Sequence, residues 1–195
     1  MLAPGTGLGQ AFLISSAGKS QAYPTECGHI DFAATTDLEI ELLQYLRRKY
    51  GRASYERILC GPGLVNLYEF FKESKQAPEP PALKERLQNE DPATVISSAG
   101  QAGEFEICVE ALNMFVSILG TLAGNLVFSF LATGGVYLGG GIAPKMLAKL
   151  AEGLLVERYL NRGRLSYLVE KTSLAVIKDD HAALLGAASI ASSFQ

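Results

Sequence analysis

Two carboxylates and an imidazole carry the clearest chemical potential in this sequence: Glu26 and His29, in the run Glu26-Cys27-Gly28-His29, and Glu56, beside Arg57. An ionised carboxylate accepts hydrogen bonds on both oxygens and an imidazole donates or accepts one, so the set suits a ligand rich in hydroxyl groups. Glycine turns bracket the cluster along the chain, Gly5-Thr6-Gly7-Leu8-Gly9 before it and Gly139-Gly140-Gly141 after it. Glycine at 5, 7 and 9 removes side chains where a phosphate must reach backbone N–H groups, and Thr6 adds a hydroxyl donor. A nucleotide phosphate site beside a polyol site is the chemistry these residues suggest.

Each feature also has a plainer reading. The first glycine turn equally suits a tight hairpin connection, and the second suits close helix–strand packing. Glu56 could pair with Arg57 at the surface, and His29 could be a hydrogen-bonded buried imidazole. Asp31, two residues on, is placed to orient His29. His181 follows Asp179 and Asp180 at a helix start, where capping accounts for it.

The elements that must position these groups read as α/β. Alternation over Gln10 to Ser15 and Gln21 to Thr25, around Ala17-Gly18-Lys19, predicts a hairpin that delivers Glu26 at a strand end. Thr36 followed by Glu39 is a capping box, opening a helix that stops at Tyr50-Gly51. Tyr55 to Cys60 is a short strand or helical turn, and Pro62 opens a helix through Phe71. Ser74 to Pro92 is polar, proline-rich and an expected excursion. Glu104 to Leu131 predicts a long core helix whose Gly120 and Gly124, one turn apart, admit another backbone. Val136 to Leu138 forms a buried strand ending in the glycine turn, Pro144 starts a helix, Leu174 to Ile177 is a last strand and His181 to Ser192 a last helix.

Composition narrows the class. With 195 residues, 48% hydrophobic, the chain supports one substantial core. A net charge of −3 with no basic run argues against nucleic acid as a partner. Cys27, Cys60 and Cys108 match neither a disulfide framework nor a paired-cysteine zinc site, so no metal site is expected. A cytoplasmic location is expected, there being no charged segment leading into an apolar run. Ala111 to Pro144 is free of charge, but Asn113, Ser117, Thr121 and Asn125 interrupt it, so a buried helix and strand explain it better than a membrane span.

Five segments, taken in order, resemble the bacterial glucokinase family: Pro4 to Gly9, Glu26 to Ala33, Cys60 to Tyr68, Gly134 to Ile142 and Leu184 to Ala188. The resemblance covers essentially the whole chain. It implies an actin-like, ribonuclease-H-like ATPase fold in which ATP lies in a cleft and its γ-phosphoryl group passes to the 6-hydroxyl of glucose. By that resemblance Glu26, His29 and Glu56 contact glucose, Gly5, Thr6 and Gly7 form the family's second phosphate loop, and Gly139, Gly140 and Gly141 its adenosine-side turn. ATP, Mg²⁺ and glucose are the implied ligands, and a homodimer the implied assembly. Cys27 stands where the family commonly has a small residue such as glycine.

The family's first phosphate loop and catalytic aspartate lie upstream of the motif at Gly5, where this sequence has only four residues. Residues 1–180 therefore match the family's large C-terminal domain with its mixed sheet flanked by helices, and 181–195 a final helix that returns to the small domain. The expectation is an N-terminally truncated glucokinase chain, inactive by itself. The alternatives are a non-catalytic sugar-binding or regulatory module and an inactive gene fragment.

Overall fold

The computed structural model describes residues 1–179 and 181–192, the side chain of Lys19 apart. Five strands, β1 (Leu2–Pro4), β2 (Leu8–Ser16), β3 (Lys19–Thr25), β4 (Val136–Leu138) and β5 (Leu174–Val176), form one mixed sheet in the order β3-β2-β1-β4-β5. The first three pair antiparallel, whereas β4 runs parallel to both β1 and β5. The β2–β3 hairpin closes through Ala17 and Gly18, both at positive φ (50° and 75°), with Ser16 opposite Lys19. Two left-handed residues in a two-residue loop match the right-handed twist of the flanking strands.

Around the sheet lie α1 (Asp37–Tyr50), α2 (Gly61–Ser74), α3 (Pro81–Asn89), α4 (Pro92–Ala102), α5 (Glu106–Phe130), α6 (Leu147–Leu150), α7 (Leu154–Leu160), α8 (Ser166–Glu170) and α9 (Ala182–Ser192). The core centres on α5, which packs against α2, α4 and α7. This helix is long and apolar enough to cross a membrane, yet most of its apolar length is buried within the fold. Gly120 and Gly124 have the role their spacing suggests. A Cβ at 120 would collide with the Leu155 carbonyl, and one at 124 with the Arg162 guanidinium and, at 2.7 Å, the Tyr159 carbonyl. Helix α7 thus rests directly on the backbone of α5, and Arg162 Nη2 donates to the Thr121 and Arg158 carbonyls, each at 2.8 Å.

The capping box at α1 is only half as expected. Thr36 Oγ1 accepts from the Glu39 N–H, but the Glu39 carboxylate receives the Thr35 N–H (2.6 Å) and Thr35 hydroxyl (2.7 Å) and pairs with Arg158 at 2.9 Å. With Glu39 3% exposed, this pair clasps α1 to α7. Removing one partner would strand a buried charge, at a cost of about 3–5 kcal/mol. The polar stretch from Ser74 to Pro92 likewise differs from a plain excursion, because Pro81 opens α3 and fully buried Leu83 anchors it.

Among the described residues of α9 none is buried; Leu184 is 69% and Leu185 60% exposed.

Ala17 is a β-carbon-bearing residue held left-handed, which costs about 1–2 kcal/mol. Ala17→Asn, better tolerated in that region, is expected to raise stability by about 0.5–1 kcal/mol in urea denaturation with an unchanged slope. A midpoint no higher than wild type would show that the turn carries no strain.

Candidate functional site

β3 hands the chain directly to the first candidate group. Thr25 Oγ1 donates to the Gln10 carbonyl at 2.9 Å and accepts the Cys27 N–H at 3.3 Å, fixing the start of a 3-10 turn over Cys27–His29. Cys27 has a negative φ and needs no glycine, so its departure from the family pattern does not disturb the turn. Gly28 is the residue without alternative, because a Cβ there would drive into the Leu8 carbonyl.

Glu56 approaches from the other side. Segment 30–32 pairs with 53–55: Phe32 N–H donates to the Ala53 carbonyl at 3.0 Å and Tyr55 N–H to that of Ile30 at 3.2 Å. Beneath this bridge the Phe32 and Tyr55 rings meet edge to face, 5.6 Å between centroids. The 3-10 turn Tyr55–Arg57 then presents Glu56 to the histidine. His29 Nε2 lies 3.9 Å from Glu26 Oε2 and 3.7 Å from Glu56 Oε1. All three side chains are therefore brought together around one imidazole, open to solvent on the Glu26 side, whose side chain is 92% exposed.

Two sequence expectations are corrected here. Glu56 does not pair with Arg57, whose guanidinium stacks 4.4 Å from the centre of the Tyr50 ring; instead Glu56 Oε2 accepts the Leu8 N–H at 3.0 Å. Asp31 does not orient the imidazole. It accepts from Arg52 Nε at 2.6 Å, while Arg52 Nη2 donates to the His29 carbonyl at 2.7 Å, so its influence reaches only the backbone. At the other end of the chain the Asp179 carboxylate accepts the His181 N–H at 2.8 Å, one residue before α9 begins.

The glycine turns meet at the end of β1. Gly139 N–H donates to the Leu2 carbonyl (2.7 Å) and Ile142 N–H to that of Pro4 (3.2 Å), while Gly140, at φ 76°, has no room for a Cβ against the Pro4 carbonyl. Gly5 N–H is spent on the Gly7 carbonyl and the Gly5 carbonyl accepts from Gly61. Among the described residues, the Thr6 and Gly7 N–H groups and the Thr6 hydroxyl have no hydrogen-bond partner.

Gly5, Thr6 and Gly141 line a cleft of about 960 Å³, whereas Gly7, Gly139 and Gly140, expected at the same site, are not among its lining residues. The Glu26, His29 and Glu56 cluster lies outside this cleft, and the Gly5–Gly7 loop touches both. Sequence reasoning missed much of the cleft: Ile142 and Lys145 beside the second turn, and α4, which contributes Thr94, Ser97, Ser98 and Gln101 at helical spacing. Asp91 followed by Pro92, with Gly103 left-handed at the far end, was the available signal for α4. Lys145 makes no ion pair among the described residues. No group of three His, Cys, Asp or Glu side chains among them could hold a metal.

The Cys60 thiol caps α2, donating to the Glu56 carbonyl at 2.9 Å and accepting the Gly63 N–H at 3.3 Å, and burial raises its pKa. Burial pushes Cys108 up to about 11. Both are inert thiols in this setting, whereas Cys27 is partly exposed beside His29.

A sequence profile of the glucokinase family matches residues 1–194. The chain belongs to the glucokinase family. It is 34% identical to the glucokinase of Nostoc sp. over 96% of its own length and 59% of that enzyme's, and 38% identical to that of Marinobacter nauticus over 96% and 56%. In three dimensions it is similar to a glucokinase from an Antarctic psychrotroph, at TM-score 0.84 and 34% identity over 97% of this chain and 56% of the other. A glucokinase from Balamuthia mandrillaris in complex with glucose superposes at TM-score 0.77 and 26% identity, covering 89% of this chain and 48% of the other. The chain thus spans little more than half the length of the relatives it matches.

Asp91 gives the cleft wall a pH dependence. Hydrogen bonds from the Thr94 hydroxyl, then from its N–H, hold the carboxyl below the ordinary value of 3.8. A depressed carboxyl stabilises above its ordinary range and loses that effect as pH falls through its lowered value. Asp91→Ala should cost about 1 kcal/mol at about pH 7, the gap from wild type narrowing towards about pH 3 in urea denaturation. An equal gap at both pH values would show that the cap owes nothing to its charge.

Proposed function

We propose that this chain is the large domain, with an actin-like, ribonuclease-H-like topology, of an ATP-dependent glucokinase that transfers the γ-phosphoryl group of magnesium ATP to the 6-hydroxyl of glucose. The observation that carries the reading is the Gly5–Gly7 loop, in which the Thr6 and Gly7 N–H groups and the Thr6 hydroxyl are unpaired, with Thr6 lining the cleft and Gly7 abutting Glu56. Phosphoryl transfer is mostly positioning and charge stabilisation, and a donor-bearing loop between a nucleotide cleft and a hydroxyl-binding cluster supplies such positioning. Thr6 and Gly7 receive phosphate oxygens, Lys145 adds positive charge in the same cleft, and Glu26, His29 and Glu56 hold the sugar hydroxyls. Gly139–Gly141 and the uncharged face of α4 serve the nucleoside side.

The remaining positioning falls to the small domain, to which α9, with its exposed Leu184 and Leu185, returns. Residues 1–180 form the large domain and 181–195 this connection. In the resembled family the general base lies outside the segments matched here, and Asp31 is no substitute, being held by Arg52.

That engagement of Asp31 also favours a second reading, a sugar-binding module without phosphoryl transfer. Both readings leave the isolated chain without appreciable turnover in a coupled assay with magnesium ATP and glucose; binding of magnesium ADP in calorimetry, expected of the kinase domain and not of a sugar-binding module, separates them. Robust turnover abolished in Asp31→Asn would place the base within this chain.

Sugar binding is tested independently of turnover. Cys27 sits between Glu26 and His29, so saturating glucose is expected to slow its alkylation by iodoacetamide while Cys60 and Cys108 stay unlabelled. Glu26→Gln should weaken glucose affinity by about 2 kcal/mol in calorimetry, as loss of a charge-assisted hydrogen bond does. Labelling indifferent to glucose, with unchanged affinity in Glu26→Gln, would remove the sugar from this site.

A further inference from the structure

Leu8 is held through both of its backbone polar groups by the candidate sugar site. Its N–H donates to Glu56 Oε2 at 3.0 Å, and its carbonyl lies against Gly28 in the turn that carries His29, so closely that a Cβ at 28 could not be accommodated. Leu8 is also the residue at which the Gly5–Gly7 loop becomes β2. The loop itself abuts the same carboxylate, since a Cβ at Gly7 would lie 2.7 Å from Glu56 Oε2. The other oxygen, Oε1, faces His29 Nε2 at 3.7 Å, a separation that leaves it capacity to accept from another donor. Among the described residues the Glu56 side chain is a direct hydrogen-bonded link between the glycine loop and the cluster.

We propose that Glu56 is a positioning residue that couples the two sites: a hydroxyl-bearing ligand on Oε1 fixes the carboxylate, Oε2 then fixes the Gly7–Leu8 peptide, and the free Thr6 and Gly7 N–H groups are ordered for a phosphate. This goes beyond a sugar contact and rests on the sugar-and-nucleotide reading above. The physical requirement is modest. The carboxylate is rigid, so restraining one oxygen restrains the other, and Gly7 has no side chain of its own to hold the backbone at the point of contact. Neighbouring contacts make the loop depend on this grip: Gly5 N–H is committed within the loop, the Gly5 carbonyl is held by Gly61, and the two intervening N–H groups have no anchor. Binding energies linked in this way are reciprocal, so phosphate in the loop must tighten the sugar by the same factor as sugar tightens the nucleotide.

The test follows backbone amide signals of the 195-residue chain by NMR during titration with glucose, and then measures magnesium ADP affinity with and without saturating glucose. In the wild type, glucose is expected to shift Glu26–His29 and, in parallel, Thr6–Leu8, and to tighten magnesium ADP by about fivefold or more. Gly7→Ala pushes the carboxylate off the loop while leaving Glu26, His29 and Glu56 in the sequence, and Glu56→Gln keeps length but removes the charge on the Leu8 N–H. With glucose raised until the Glu26–His29 signals saturate in each variant, both should lose the Thr6–Leu8 response and bring the coupling near unity. Wild-type shifts confined to Glu26–His29 would overturn the coupling and leave the sugar site standing. Loop shifts that persist unchanged in Gly7→Ala would show that the signal travels by another route, and shifts at neither segment would remove the sugar site and the coupling together.

Discussion

The arrangement hangs on the last residue of a three-residue strand. Pro4 ends β1, and its carbonyl takes the Ile142 N–H while Gly140 packs against it without space for a side chain. One residue later the Gly5–Gly7 loop begins. The two glycine turns, far apart in sequence, are therefore two sides of one backbone contact, and glycine at 140 reflects both a left-handed φ and a forbidden Cβ. The fully buried Leu2 fixes β1 in the sheet, so the cleft inherits its shape from the most buried part of the strand register.

A second constraint sets the distance between the cluster and the loop. The pairing of 30–32 with 53–55 and the contact of Gly28 with Leu8 place three short segments within hydrogen-bonding reach of each other. None of them is a long element. Their rigidity comes from the helices behind them: α2 is capped by Cys60 immediately after Ile58 and Leu59, both fully buried, and Gly63 packs on the Ile58 backbone. A polar site built from loops is held by an apolar floor.

What could be seen in the sequence follows from how local each signal is. The hairpin, α1, α2, α5 and β4 declare themselves through alternation, caps and a charge-free run, and their bounds shift by only a few residues in the structure. The motif residues Glu26, His29 and Glu56 were visible as chemistry, and their convergence depended on a fold that the family resemblance supplied. Helix α4 was passed over because its cleft face is Thr94, Ser97, Ser98 and Gln101, which weakens an apolar stripe carried only by Val95, Ile96 and Ala99. Contacts between distant residues left no local trace at all: Glu39 with Arg158, Glu56 with Leu8, Arg52 with Asp31. In each case a nearer partner looked adequate, and tertiary approach chose another.

The order of the elements along the chain matters for how α5 comes into being. A 25-residue apolar helix is a hazard to a chain still being synthesised, since it presents to water, or to a bilayer, a surface the finished fold conceals. Helices α2 and α4 both precede it and both pack against it, so two of its walls exist before it leaves the ribosome. Helix α7 comes later, and until it settles onto Gly120 and Gly124 that strip of α5 backbone stays uncovered. The interval between residues 130 and 160 is thus the vulnerable stretch of biogenesis, when a chaperone that recognises apolar helices has most to bind.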